Sequence, residues 1–223
     1  MQNIDFMSSL HKSTKRDYLK RVNDPEFPKY KAASLAKKFD FDYWDGDRRI
    51  CYGGYKYIEG RWIKVAEALN KFYKLPKNAK ILDIGCGKGY LLYDFLKILP
   101  NADIYGLDIS KYALENSKPE IRDKLKLGNA KELPFDNNFF DLVISINTLH
   151  CLEAPQLFSA LKEMERVGNS NKYLCVESYR NEIEKANLLY WQVSCEAFNT
   201  PEEWLWWFKQ AGYKGDYSFI YFE

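Results

Sequence analysis

Ile81-Leu82-Asp83-Ile84-Gly85-Cys86-Gly87-Lys88-Gly89-Tyr90 runs from a short apolar segment, through three alternating glycines, into an apolar stretch that stops at Leu99-Pro100-Asn101. Four apolar-rich residues bounded by glycine read as a buried strand, and 90–98 reads as the helix it turns into. Glycine tolerates positive φ and carries no side chain, so such a turn lets the backbone approach a bound molecule closely. Two details narrow the ligand. The spacing is Gly-x-Gly-x-Gly, not the Gly-x-Gly-x-x-Gly of a dinucleotide site. Asp83 also stands near the strand's end, where a carboxylate repels a pyrophosphate and attracts a cation.

Working outward, strands and helices alternate on the C-terminal side. Strands are expected over 103–107, 124–127, 140–146, 172–176 and 217–222, with helices over 110–116, 153–167 and 201–211. Ser110 serves as an N-cap, and Thr200 with Glu203 forms a capping box. Strands separated by helices of this length imply right-handed crossovers and a mostly parallel, doubly wound α/β sheet of Rossmann-like type. On the N-terminal side, helices are expected over 14–22, 26–39 and 61–74. Between them, 40–60 is glycine-rich and aromatic with no sustained period, and reads as a structured loop. The division is therefore an N-terminal helical cap with an acceptor-site loop, 1–60, and a cofactor-binding domain, 61–223.

In such sheets ligands lie beyond the carboxyl ends of the strands, at the switch in strand order. The second strand ends at Asp108-Ile109, placing a carboxylate to accept hydrogen bonds from two ribose hydroxyls. The third ends at Gly128-Asn129-Ala130, and an amide both donates and accepts, as a purine edge requires. Asp83 suits a cofactor carrying an ammonium and a sulfonium, and S-adenosylmethionine is that cofactor. These residues, with Leu133-Pro134-Phe135-Asp136 and Phe140-Asp141-Leu142-Val143-Ile144-Ser145, resemble the class I S-adenosylmethionine-dependent methyltransferases, small-molecule branch, typified by the quinone-biosynthesis enzymes. The resemblance spans about 61–213. It implies that Asp83, Gly85, Cys86, Gly87 and Gly89 hold the methionine moiety and Asp108 with Ile109 the ribose. It further implies that Asn129 and Ala130 flank the adenine and that Asn147 lines the methionine pocket. The segment after Gly212 is short for that family's final antiparallel hairpin, so the last strand is missing or is supplied by 188–194.

Candidates for chemistry follow the fourth and fifth strands. His150 can serve as a general base toward a hydroxyl acceptor, with Glu177 as the alternative. Arg48 and Arg49, among Tyr52, Tyr55 and other aromatics, can grip an anionic acceptor, and Arg180 is placed to help. A sugar-linked building block is one acceptor of that kind.

The 223 residues suffice for one α/β domain, and 46% hydrophobic and 17% aromatic content excludes a disordered chain. With 33 basic and 31 acidic residues the net charge is +2, which sets up no field for a polyanion, so nucleic acid is not an expected partner. Five scattered cysteines and two histidines offer no metal framework and fit a reducing, cytoplasmic setting. No apolar run is long enough for a membrane span. The expected partner is a small-molecule acceptor, with the protein a monomer or homodimer. Rival readings are a nicotinamide oxidoreductase, disfavoured by Asp83; an aminopropyl transferase on the same fold, disfavoured by Arg48 and Arg49; and a catalytically silent cofactor-binding subunit.

Overall fold

The structure, a computed structural model, describes residues 1–10 and 17–223. Four helices come first: α1 (Tyr18–Val22), α2 (Lys29–Ala36), α3 (Phe41–Trp44) and α4 (Ile63–Tyr73). The alternating part is β1 (Lys80–Ile84), α5 (Tyr90–Ile98), β2 (Asp103–Asp108), α6 (Lys111–Glu115), β3 (Leu125–Leu127), β4 (Phe140–Ile146) and α7 (Ala154–Val167). It continues through β5 (Gly168–Glu177), α8 (Glu182–Trp191), α9 (Pro201–Ala211) and β6 (Asp216–Ile220). The sheet order is β3-β2-β1-β4-β5-β6, and every pairing is parallel. The strand order reverses between β1 and β4, so the switch point lies directly above the glycine turn.

Both sheet faces are covered, as the period-2 geometry of strands requires. Ile81, Leu142, Ile144, Tyr173 and Cys175 pack on one face with Val65, Leu69 and Phe95 of α4 and α5. Leu82, Val143, Leu174 and Val176 pack on the other with Leu157, Leu161, Met164, Trp204 and Phe208 of α7 and α9. A third, smaller cluster joins Ala32, Ala36, Tyr43, Trp44 and Ile50 to Ala113 and Val193, and this seats the cap on the sheet's carboxyl edge.

Four expectations change. The helix expected over 26–39 is only Lys29–Ala36, because Pro28 stands at its N-cap and Phe39 turns to φ 51°. The helix expected over 14–22 begins partly outside the described residues and is present as Tyr18–Val22. The segment 40–60 is not all loop: Asp40 accepts a hydrogen bond from Phe41 N and caps α3. Finally, 188–194 supplies no strand, since α8 runs to Trp191. Among the described residues no antiparallel strand joins the sheet. Instead the N-terminal segment runs beside β6, Ile4 N donating to Tyr217 O (2.8 Å) and Tyr217 N to Gln2 O (3.0 Å). This pairs backbone groups of an edge strand that would otherwise be left open. Among the described residues no helix is long and apolar enough to cross a membrane.

Candidate active site

The turns beyond β1, β2, β3 and β4 share one cavity of about 270 Å³ with the cap. Gly85 (φ 77°) and Gly87 (φ 55°) adopt left-handed backbone. A Cβ on Gly85 would lie 2.1 Å from Thr148 Oγ1, and one on Gly87 would lie 2.6 Å from the Trp44 ring. Conformation and close packing therefore both demand glycine there. Gly87 N donates to Asp108 Oδ2 (2.7 Å) and Ser110 N to Asp108 Oδ1 (2.8 Å), so this carboxylate ties the β1 turn to the β2 turn. Each oxygen keeps lone-pair capacity for a ligand hydroxyl. Burial pushes the Asp108 carboxyl up, and the backbone N–H groups of Ser110 and Gly87 oppose that push.

Two acceptors in the wall lack a partner. Asp83 is buried, has neither hydrogen bond nor ion pair among the described residues, and is pushed up to about 7 by burial and then by Asp108. Asn147 Oδ1 is buried without a hydrogen bond, and its residue holds φ 55°, fixed by Asn147 N donating to Cys175 O (2.9 Å). Left-handed backbone outside glycine is strained and concentrates at functional sites. A buried carboxylate and an orphan carbonyl, both on residues that line one cavity, suit a cation bearing N–H donors. Ile109, Asn129 and Ala130 line the cavity with them, and Asn129 Oδ1 accepts from Lys131 N (3.0 Å), leaving its NH₂ available. An ammonium, a ribose and a purine edge fit this set. Cys86 also lines the cavity, its thiol pushed up by burial. Gly89 does not line it; its φ of 72° starts α5, and a Cβ there would meet Ile121.

The cap forms the roof. Trp44 Nε1 donates to Ser110 Oγ (2.9 Å), and the Trp44 ring stacks on Tyr52 at 5.5 Å. The buried Lys88 ammonium, just past Gly87, reaches Asp45 Oδ2 (2.6 Å) and Oδ1 (2.9 Å) and the Tyr55 carbonyl (2.9 Å). Tyr112 OH donates to the same Asp45 Oδ2 (2.8 Å). Burial pushes the Asp45 carboxyl up, but these donors hold it below its ordinary value. Tyr52 and Tyr55, expected to meet the acceptor, do line the cavity, together with Tyr43 and Trp44.

The other expected residues lie elsewhere. His150 is 2% exposed, lies outside the cavity wall, and is pushed down to about 3 by burial. Its Nδ1 accepts from Glu177 N (3.4 Å), which assigns the ring proton to Nε2, 3.4 Å from Glu177 Oε2. Both nitrogens thus face inward, and neither offers a lone pair to the cavity. Glu177 is buried with it behind the wall, pushed up to about 8 by burial, with Gln192 Nε2 donating to Oε1. Arg48 donates to the Cys51 carbonyl, and Arg49 pairs with Asp47 (2.6 Å) and Glu26 (2.7 Å) on the outer surface. Arg180 pairs with Glu184 and Glu223 beside Tyr221. None of these arginines lines the cavity, because nearer acceptors within the cap and at the C-terminus hold them. The basic side chain that does line it is Arg61, which has no ion-pair partner among the described residues. Nothing in the local sequence marks Arg61, and Met7, Leu10 and Gln156 enter the wall equally unannounced. Among the described residues no group of three or more His, Cys, Asp or Glu side chains is placed to hold a metal ion.

A parallel α/β sheet with a glycine turn, a ribose-side carboxylate and unpaired acceptors at its switch point is the architecture of a class I methyltransferase. The chain belongs to that group: residues 75–212 match the family described as a methyltransferase domain. The family and fold imply S-adenosylmethionine as the cofactor. It is 30% identical over 139 residues to a demethylmenaquinone methyltransferase of Geobacillus, covering 59% of this chain and 58% of that one. It is 31% identical over 113 residues to an uncharacterized methyltransferase of Schizosaccharomyces pombe, covering 45% and 40%. The chain thus spans about half the length of these curated relatives. The YcgJ protein of Bacillus shares the fold, with a TM-score of 0.54 at 20% identity over 66% of each chain.

Proposed function

We propose that this protein transfers a methyl group from S-adenosylmethionine to an oxygen or nitrogen of a small acceptor lying flat beneath the cap. The observation that carries the reading is the pair of unsatisfied acceptors, Asp83 and Asn147 Oδ1, beside a glycine turn. They would hold the ammonium, Asp108 the ribose, and Ile109, Asn129 and Ala130 the purine. When bound, the cofactor supplies a methyl carbon on a sulfonium, already a strong electrophile. The protein's task is then alignment and exclusion of water. Trp44, Tyr52, Tyr55 and Tyr43 perform both by walling the acceptor side with packed rings.

The chemistry of that wall supports a class of acceptor. Burial pushes Cys151 and Tyr55 up to about 12, and pushes Tyr43 and Tyr52 well above the ordinary phenol value. These groups donate hydrogen bonds near neutrality and do not remove protons. With Asp83 and Asp108 committed to the cofactor, a nucleophile that arrives ready, as a carboxylate or phenolate oxygen or an uncharged amine, suits this wall. The arginines first expected to hold an anionic sugar-linked acceptor lie outside the cavity, so a sugar-linked acceptor has no support in the wall. The test is calorimetric binding of S-adenosylmethionine, followed by labelled-methyl transfer to a panel of aromatic carboxylates, phenols, amines and aliphatic alcohols. Transfer confined to the first three groups is expected; absence of cofactor binding, or transfer only to alcohols, would sink the reading.

A further inference from the structure

We propose that the outer face of α9 docks a second copy of this chain, the two helices packing antiparallel about a two-fold axis that passes between Leu205 and Trp206. The starting point is a helix that carries an ordered face on each side, of which the fold uses one. Trp204 and Phe208 are fully buried against the sheet, and the Trp204 indole donates to the Glu177 carbonyl (2.9 Å). Glu202, Leu205, Trp206 and Lys209 stand at i, i+3, i+4 and i+7, the spacing of a second stripe on the same helix. Glu202, Trp206 and Lys209 are exposed and Leu205 is half-buried. Trp206 is 55% exposed, the one exposed tryptophan among the described residues. A large ring left in water at the centre of a helix face is the kind of side chain that anchors protein interfaces. It is already braced edge-on against Trp207 at 5.2 Å, so docking on it costs little side-chain entropy.

The charges on that face select the partner. An acid stands one turn before the apolar pair and a base one turn after it, and neither Glu202 nor Lys209 has an ion pair among the described residues. Glu203, by contrast, is taken up by the capping box with Thr200. Antiparallel pairing with a copy of itself sets Glu202 against the partner's Lys209 and Leu205 against the partner's Trp206. Two-fold symmetry repeats both contacts, so every group on the face meets its complement twice. Parallel pairing would set acid on acid and base on base. A partner of uniform charge would satisfy one end of the stripe and repel the other. The apolar surface widens beside the helix, where Tyr217 and Phe219 of β6 are half-buried, their rings 5.3 Å apart, with Tyr217 5.5 Å from Phe208. None of these residues lines the cavity, so the pairing leaves its walls untouched.

Sedimentation equilibrium on the full chain tests this, with the parent expected to dimerise in the micromolar range. Trp206→Ala should weaken association at least about tenfold while leaving the circular dichroism and melting temperature unchanged, since the ring is exposed. Glu202→Lys and Lys209→Glu should each weaken it by a similar factor, because each sets like charges opposite one another at two symmetric places. Mixing these two single variants should restore a dimer, now of unlike chains, since each supplies the charge the other lacks. The double variant Glu202→Lys with Lys209→Glu exchanges the two ends and should also dimerise, within about threefold of the parent. A parent that stays monomeric at about 100 µM, or a dimer that all three single variants leave intact, would overturn the proposal. A loss in the charge variants that neither mixing nor the double change recovers would overturn the antiparallel pairing.

Discussion

Binding of S-adenosylmethionine should release a proton, and Asp83 is its source. In the ligand-free protein burial and Asp108 push this carboxyl up to about 7, with no cation beside it. The ligand's ammonium requires the ionised form. A carboxyl with a pKa near 7 is ~90% protonated at pH 6, half protonated at pH 7 and ~10% at pH 8. Binding should therefore release ~0.9 proton at pH 6 and ~0.5 at pH 7, with affinity rising up to about tenfold per pH unit between pH 5 and 6. Titration calorimetry in two buffers of different ionisation enthalpy reads the released proton directly. Asp83→Asn should abolish both the release and the pH slope. The same shift governs the ligand-free fold: between about pH 4 and 7 the native state keeps a proton that the unfolded chain has lost. Stability from this group is then fully present below its ordinary carboxylate value and is lost as pH rises to about 7, by about 4 kcal/mol in total. No proton release at pH 6, despite tight binding, would refute the reasoning.

Asp108→Ala should weaken S-adenosylmethionine at least about tenfold by calorimetry and lower the melting temperature, since it removes the acceptor for Gly87 N and Ser110 N as well as for the ribose. His150→Ala should cost about 2 kcal/mol or more of stability in urea unfolding while changing kcat less than tenfold, because its ring is buried and faces Glu177; a hundredfold loss of kcat in a folded variant would restore it as a base. Asp45→Asn should release the cap from the buried Lys88, raising hydrogen exchange over 41–55 while leaving α7 unchanged; equal exchange in both proteins would show that ring stacking alone holds the roof.

The sequence by itself determined the sheet and the cofactor side of the site. Continuous apolar runs in β1, β4 and β5, helices of crossover length, and the Asp83 to Gly89 turn are local patterns, and local patterns are written in consecutive residues. Residues that follow strand ends, such as Asp108, Asn129 and Asn147, inherit their place from that register, and all three line the cavity. Tertiary structure decided what depends on partners distant in the chain. His150, Arg48, Arg49 and Arg180 carry the right chemistry, but Glu177, Cys51, Asp47, Glu26, Glu184 and Glu223 draw them away from the cavity. Arg61 becomes notable only because folding brings it to the cavity wall with no ion-pair partner among the described residues. Trp44 becomes the roof only because Gly87, 43 residues further along, has no Cβ to exclude its ring. A side chain's type is fixed by sequence, but its free valence depends on which neighbours reach it first, and that is settled by packing.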